Sequence, residues 1–215
     1  MKAHQLISPE SYLASEIKSP VRREYVNGRV YPLPGDTNVH GTIAGNCLYQ
    51  LTSILRGSNY DVFNSSAKVR IWKNGRITRF YYPDIAVIGE PNPDDDYFQD
   101  HPLVIFEVLS RPPRELDVDE IRGGYLTSAS VQSYEAYSTR RADEGEKRFA
   151  YQSIPSLRSY VLVEQSQPLI THYRRTNDRF RRTIVEGLTS KLVIPCLSLS
   201  LQLHDIYRQV SFDHE

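Results

Sequence analysis

The sequence has few cysteines, no net charge and no long apolar segment, and each of these absences excludes a class of protein. Its 2 cysteines in 215 residues argue against a disulfide-rich secreted scaffold and show no metal-ligand spacing. Lys and Arg total 26 and Asp and Glu total 26, which argues against general electrostatic coating of nucleic acid but not against a local basic groove. No stretch approaches the ~20 apolar residues of a membrane helix, and no signal peptide is expected. We expect a cytoplasmic protein that binds no membrane, with reduced thiols at Cys47 and Cys196.

The composition is that of a globular domain. Hydrophobic residues make up 40% of the chain and charged residues 24%, which is typical of folded proteins rather than disordered or fibrous ones. No internal repeat or linker is evident, so we predict one domain over residues 1–215. Residues 111–140 show no clear period and contain prolines, glycines and many serines. That composition predicts an insertion or a flap within the domain.

Local signals predict a mixture of helices and strands. Ser8 as N-cap and Pro9 at the first helical position predict a short helix near the start of the chain. Asn27-Gly28 between two apolar stretches is a strong hairpin signal. A helical hydrophobic repeat predicts the main helix over residues 37–56. Strand-like runs fill much of the remainder, including Leu197–Leu203 in the tail, and together the elements predict an α/β fold of the α+β type.

Two of the strand-like apolar runs each contain one acidic residue. Asp84 stands at the start of the first run, and Glu107 stands in the middle of the second. Carboxylates are rarely buried unless they are paired, hydrogen-bonded or bound to a metal, so two of them on neighbouring strands predict a shared partner. If the two acids converge, the main-chain carbonyl of Val108 lies within reach of the same partner. Two carboxylates, a carbonyl and open water positions suit Mg²⁺ or Mn²⁺, and we expect one of these as cofactor.

These motifs and their order resemble a known family. Pro83-Asp84 matches the first half of the PD-(D/E)XK nuclease motif, and Glu107-Val108-Leu109 matches the second half except at its lysine, where Leu109 stands. Longer blocks over roughly residues 10–185 resemble the Uma-two-type restriction endonuclease family of that superfamily. The blocks that carry the resemblance are Arg23–Gly28, Tyr82–Val87, Glu107–Ser110, Gly145–Tyr151 and Ile154–Val163.

The resemblance implies both a fold and an activity. The fold would be a restriction-endonuclease-like core, in which helices flank a mixed β-sheet, with an N-terminal hairpin and a C-terminal β extension. The activity would be Mg²⁺-dependent hydrolysis of phosphodiester bonds in DNA, and a homodimer would allow both strands to be cut. In that family the motif lysine stands on the helix after the Glu-bearing strand, which corresponds here to Lys147. Tyr151 falls four residues later on the same helical face and would donate a hydrogen bond into the site.

Three further features leave alternatives open. Glu24, at the entry of the first hairpin, either completes the site or pairs with a neighbouring arginine. His40 starts the main helix, and we expect it to be a partly exposed histidine without a role in the site. Arginines cluster on the strand-like segments on either side of Asn177-Asp178. They either track a phosphate backbone or form a charged edge that discourages aggregation.

A different class of function is also compatible with the sequence. Leu109 stands in the position of the strand lysine, and residues 111–140 separate the acids from Lys147. Both features favour a nuclease-like fold that has lost catalysis and serves as a module that binds nucleic acid or protein.

Overall fold

The computed structural model describes residues 6–33, 35–109 and 145–212. The predicted insertion at 111–140 lies outside these residues. The helices are α1 Pro9–Glu16, α2 Asn38–Ile54, α3 Lys147–Gln152 and α4 Leu203–Ile206, with a 3₁₀ turn at Pro195–Leu197. The strands are β1 Arg23–Val26, β2 Arg29–Pro32, β3 Asp61–Asn64, β4 Lys68–Lys73, β5 Arg76–Tyr81, β6 Ile85–Ile88, β7 Phe98–Gln99, β8 Pro102–Val108, β9 Ser159–Val163, β10 Leu169–Thr176, β11 Arg179–Glu186, β12 Lys191–Ile194 and β13 Leu199–Gln202.

The main sheet is mixed and has the strand order β11-β10-β9-β8-β6-β3. β8 and β9 run parallel, whereas the other neighbouring pairs run antiparallel. A parallel pair needs a crossover connection, and α3 lies in the segment that connects β8 to β9. The helix that carries Lys147 is therefore placed beside the strand that carries Glu107.

A second sheet has the order β2-β1-β5-β4-β7 and holds the N-terminal hairpin. At the turn between β1 and β2, Asn27 and Gly28 both have positive φ, 48° and 87°, the conformation that a tight two-residue hairpin requires. β5 leads directly through Tyr82 and Pro83 into β6 of the main sheet. Asp84 therefore lies at the junction of the two sheets.

Side chains of β8 alternate between the two apolar cores on the faces of the main sheet. Phe106 and Val108 pack with α2 and with the C-terminal elements, while Ile105 and Leu109 pack in the core that includes Tyr151 of α3. Alternation places Glu107 on the α3 face. An acid on this strand therefore faces an apolar core and the helix that supplies Lys147.

The structure confirms the predicted combination of helices with a mixed sheet, and α1, the first hairpin and α2 lie where the sequence places them. The strand predicted in the C-terminal tail, Leu197–Leu203, is wrong in detail. Leu197 belongs to the 3₁₀ turn rather than to a strand, and β13 pairs with β12, which the sequence reading missed. β12 is a run of four residues in which burial alternates, too short to give a clear period. No helix of the described segments is long and apolar enough to cross a membrane.

Candidate functional site

Asp84 connects three parts of the fold through its carboxylate and its amide. Its Oδ2 accepts a hydrogen bond from the Val108 amide at 2.7 Å and lies 2.8 Å from Nε2 of His40. Its own amide donates to Oε2 of Glu107 at 3.3 Å. Asp84 and Glu107 are therefore linked through the Asp84 amide, and the Val108 amide lies beside the Asp84 carboxylate.

Glu107 and Glu24 lie on either side of the Lys147 ammonium group. Nζ of Lys147 is 3.0 Å from Oε1 of Glu24 and 4.0 Å from Oε1 of Glu107. The Tyr82 amide also donates to Oε1 of Glu24, at 3.1 Å. Glu24 thus contacts Lys147 directly, while Arg23 pairs with Glu16.

Burial makes this arrangement unusual. Glu24 is 0% exposed, and Glu107 and Lys147 are each 3% exposed. Buried charges are costly unless they are paired, and here one cation lies between two carboxylates that come from different sheets. We call the four side chains Glu24, Lys147, Glu107 and Asp84 the charge row.

Tyr151 lies one helical turn after Lys147 and is 0% exposed. Its ring packs against Tyr81 and Tyr160, with ring centroids 5.5 Å and 5.6 Å apart. Its hydroxyl has no hydrogen-bond partner among the described residues. Burial, together with the negative charge of Glu107, raises the pKa of Tyr151 well above its ordinary value. The side chain is therefore a neutral donor beside the charge row.

The expectation that His40 is partly exposed is wrong. His40 is 5% exposed, and its Nδ1 lies 2.9 Å from Oδ1 of Asp36 while Nε2 faces Asp84. The signal was in the spacing, because His40, Ile43 and Cys47 stand at i, i+3 and i+7 and so share the buried face of α2. Each ring nitrogen faces a carboxylate, so the ring fixes the orientation of Asp84.

The pKa directions of the two acids follow from these contacts. The hydrogen bond from His40 lowers the pKa of Asp36. Burial raises the pKa of Asp84, and the nearby His40 and the Val108 amide oppose that rise. The shift at Asp84 shows that its charged form depends on cationic and hydrogen-bonding partners.

Two residues that sequence reasoning missed hold the surrounding elements in place. Gln165, 2% exposed, donates to the Leu109 carbonyl at 2.8 Å and accepts from the Thr37 hydroxyl at 2.8 Å, which joins the end of β8 to the start of α2. Arg175 donates to the carbonyls of Gln152 and Ile154 at 2.8 and 2.9 Å. It thereby anchors the end of α3, the helix that carries Lys147 and Tyr151.

The donor chemistry of the site fits a hard divalent cation. Asp84 Oδ2 is occupied by its donors, and Asp84 Oδ1 makes no hydrogen bond within the described residues. In the same residues, no three His, Cys, Asp or Glu side chains are grouped so that they could hold a metal ion. The candidate ligands are the carboxylates of Asp84 and Glu107, which are linked through the Asp84 amide. Such a set suits Mg²⁺, which keeps several water ligands.

Comparisons with known proteins agree with the family that the sequence resembles. Residues 9–140 match the model of the Uma2 family, described as "putative restriction endonuclease". Two uncharacterised proteins of Synechocystis sp. are similar along their lengths. One (slr1290) is 26% identical over 96% of this chain and 94% of its own, and the other (sll1609) is 25% identical over 81% and 84%.

A solved structure shows the same fold. The crystal structure of a "putative nuclease belonging to DUF820" from Anabaena variabilis aligns with a TM-score of 0.59 over 94% of this chain and 97% of that chain, at 14% identity. At this identity the likeness shows the fold alone, and it confirms the α+β, restriction-endonuclease-like core that the sequence predicted. Because the family model covers more than half of the chain, the chain belongs to the Uma2 family of "putative restriction endonucleases".

Proposed function

We propose that the protein is a metal-dependent endonuclease that hydrolyses phosphodiester bonds in DNA, with Mg²⁺ or Mn²⁺ as cofactor. The observation that carries the proposal is the charge row, in which buried groups from both sheets and α3 converge within hydrogen-bonding or ion-pair distance. Clusters of buried titratable groups are typical of functional sites, because burial and charged neighbours shift pKa values to those that catalysis needs.

Asp84 and Glu107 would hold the metal ion, with the Val108 carbonyl as a further ligand. When bound, the ion would polarise a phosphoryl oxygen and lower the pKa of a bound water molecule. His40 contributes by fixing Oδ2 of Asp84, which directs the other oxygen toward a ligand. Glu24 contributes by neutralising the buried Lys147 in the resting site.

Lys147 would act on the substrate rather than on the metal. Its ammonium group offers a point charge on a flexible stem, which can stabilise charge on the phosphoryl oxygens or orient the attacking water. Leu109, in the strand position of the motif lysine, is 2% exposed and packs in the apolar core beside α3. That position cannot supply a cation, which supports a role for the helix lysine. Tyr151 would donate a hydrogen bond to a phosphoryl oxygen.

The test is cleavage by the full chain with Mg²⁺, measured on supercoiled plasmid DNA and on labelled duplex and RNA substrates. We expect wild type to nick or cut DNA, while Asp84→Asn and Glu107→Gln reduce cleavage by at least two orders of magnitude. Asp94→Asn, in an exposed loop, is the matched control and should cleave as wild type does. Equal cleavage by wild type and Asp84→Asn, or no cleavage of any substrate by wild type, would overturn the proposal.

The distances within the charge row favour a second candidate, a nuclease-like module without catalysis. Lys147 Nζ lies closer to Glu24 than to Glu107, so the cation is held by an acid outside the predicted metal pair. Calorimetric titration with Mn²⁺ separates the two candidates. The nuclease should bind Mn²⁺, and Asp84→Asn should abolish binding, whereas a module that has lost catalysis need not bind it.

We also propose a homodimer, which would allow cleavage of both DNA strands. Sedimentation of the full chain tests this point. A single species with the mass of one chain at all concentrations would contradict it.

A further inference from the structure

A cleft lies between the β10–β11 hairpin of the main sheet and β12 of the C-terminal hairpin. Its volume is about 210 Å³, and its walls carry Arg174, Arg181 and Lys191, with His172 and Thr183 beside them. Among the described residues the lining contains three full positive charges and no carboxylate. We call this feature the basic cleft.

The two arginines of the basic cleft are placed unfavourably for each other. Arg174 and Arg181 stand directly opposite in the β10–β11 register, where side chains lie on one face and like charges destabilise a strand pair. Within residues 6–33, 35–109 and 145–212, neither arginine nor Lys191 forms an ion pair. Among the described residues, the three cations therefore have no carboxylate that offsets their mutual repulsion.

The floor of the cleft is held rigid and uncharged. His172 is 4% exposed, and its Nε2 lies 3.1 Å from the Ser159 hydroxyl, which is itself buried. Burial, with a smaller contribution from the charge of Arg174, lowers the pKa of His172 to about 4. At neutral pH the cations thus surround a fixed, neutral floor rather than a fourth charge.

The basic cleft is separate from the charge row. Arg174 pairs with Ser159, and Ser159 pairs with Val104, so the cleft lies two strands across and four residues along the sheet from Val108. With ordinary strand dimensions this is about 16 Å. Arg174 also shares the face of the core residue Ile170, whereas Glu107 faces α3. The cleft therefore needs a function of its own.

We propose that the basic cleft binds a phosphate oxyanion through Arg174, Arg181 and Lys191. The guanidinium fork matches the geometry of phosphate oxygens and binds them in pairs. Three cations around one small cleft favour an anion of high charge density over a single carboxylate. The volume of about 210 Å³ is well above the ~10–15 Å³ that one water molecule needs on this kind of measure, so a phosphate group fits with part of its hydration shell. The phosphate can belong to a nucleic-acid backbone or be free in solution.

Two probes distinguish these sources, inorganic phosphate by calorimetry and a fluorescein-labelled 20-base-pair duplex by anisotropy. Both are measured on the full chain with EDTA present, so the result does not depend on cleavage or on the metal site. The test variant is Arg174→Gln/Arg181→Gln. The control is Arg182→Gln, which removes one positive charge from β11 on the opposite face, and Arg181→Gln alone is the variant that matches it in charge and strand.

We expect the double variant to lose phosphate binding at least tenfold, while Arg182→Gln leaves it unchanged. If the source is a nucleic-acid backbone, the slope of log affinity against log salt for the duplex also falls, by about 0.9 for each lost contact. If the double variant loses binding of inorganic phosphate but binds the duplex as wild type does, free phosphate is the source. Equal behaviour of the double variant and Arg182→Gln in both arms would overturn the proposal.

Arg181→Glu provides a second, independent readout. It places opposite charges across the strand pair, so its melting temperature should match or exceed that of wild type while phosphate binding is lost. A variant that folds and still binds phosphate as wild type does would contradict the proposed site.

Discussion

Glu107 of the charge row and Arg174 of the basic cleft face opposite sides of the main sheet, and the two regions differ in how their charges are compensated. In the charge row, one lysine lies within 4.0 Å of two carboxylates, and each of these three residues is at most 3% exposed. In the basic cleft, the cations stand at the surface without ion-pair partners among the described residues. The cation of the row has carboxylates beside it before any ligand arrives, whereas within the described residues the cations of the cleft have none. The first arrangement suits preorganised chemistry, and the second suits binding.

Removing the cation of the charge row should have the largest effect. Lys147→Met leaves Glu24 and Glu107 buried without their counter-charge, so the free energy of unfolding should fall by about 3–5 kcal/mol, and DNA cleavage should be lost. Urea denaturation and plasmid cleavage measure the two effects. The double variant Lys147→Met/Glu24→Gln should regain part of the stability but none of the cleavage. Unchanged stability of Lys147→Met would show that its contacts with Glu24 and Glu107 do not stabilise the fold.

Acidification should destabilise the fold through His172, the buried histidine beneath the basic cleft. The pKa of His172 is lowered from 6.5 to about 4, so between these pH values the unfolded chain binds a proton that the folded protein does not. The free energy of unfolding should therefore decrease as pH falls from about 6.5 to about 4, by up to ~3 kcal/mol from this group.

Melting curves of wild type and His172→Gln across this pH range measure that contribution as a difference. The exposed His101 provides the control for the loss of a histidine, through His101→Gln. If wild type and His172→Gln lose stability in parallel as pH falls, the description of His172 as a buried, neutral side chain is wrong.

On the α2 side, His40 should act as a positioning residue for Asp84. Replacing it by glutamine keeps one polar contact but removes the link between Asp84 and Asp36. We expect Mn²⁺ affinity to fall by about 10–100-fold, as for other residues that orient metal ligands. Calorimetry measures the affinity, and the exposed His101→Gln is again the control. If His40→Gln binds Mn²⁺ as tightly as wild type does, His40 does not position Asp84 for metal binding.

The smallest effect is expected at Arg175, an arginine of the same hairpin that serves structure rather than binding. Arg175→Lys loses the fork that joins β10 to the carbonyls near the end of α3, which should cost about 1–2 kcal/mol of stability. Thermal unfolding measures the loss, with the exposed Arg179→Lys as control. Equal melting temperatures for the two variants would show that the fork does not hold α3.

The sequence predicted those site residues whose polar side chains do not suit the apolar segments in which they stand. Asp84 and Glu107 were recognisable because acids in apolar strands need a partner. Lys147 was found only through the family resemblance, because Glu146 and Arg148 beside it make it look like part of an exposed helix face. His40 was misread, although its spacing from Ile43 and Cys47 placed it on the buried face.

Contacts between side chains and distant main-chain groups could not be predicted in this way. Gln165 and Arg175 hold the site through carbonyls of Leu109, Gln152 and Ile154. Every residue has a carbonyl, so nothing in the sequence marks which one a side chain will reach. The fold class was easier to predict, because hydrophobic periodicity and turn residues are local signals in the sequence.

The proposed metal site is tested most directly by an anomalous difference map from a crystal of the full chain soaked in Mn²⁺. We expect one peak in contact with a carboxylate oxygen of Asp84 and one of Glu107, and no such peak in Asp84→Asn. A saturating soak that leaves this position empty, or places the ion elsewhere, would contradict it.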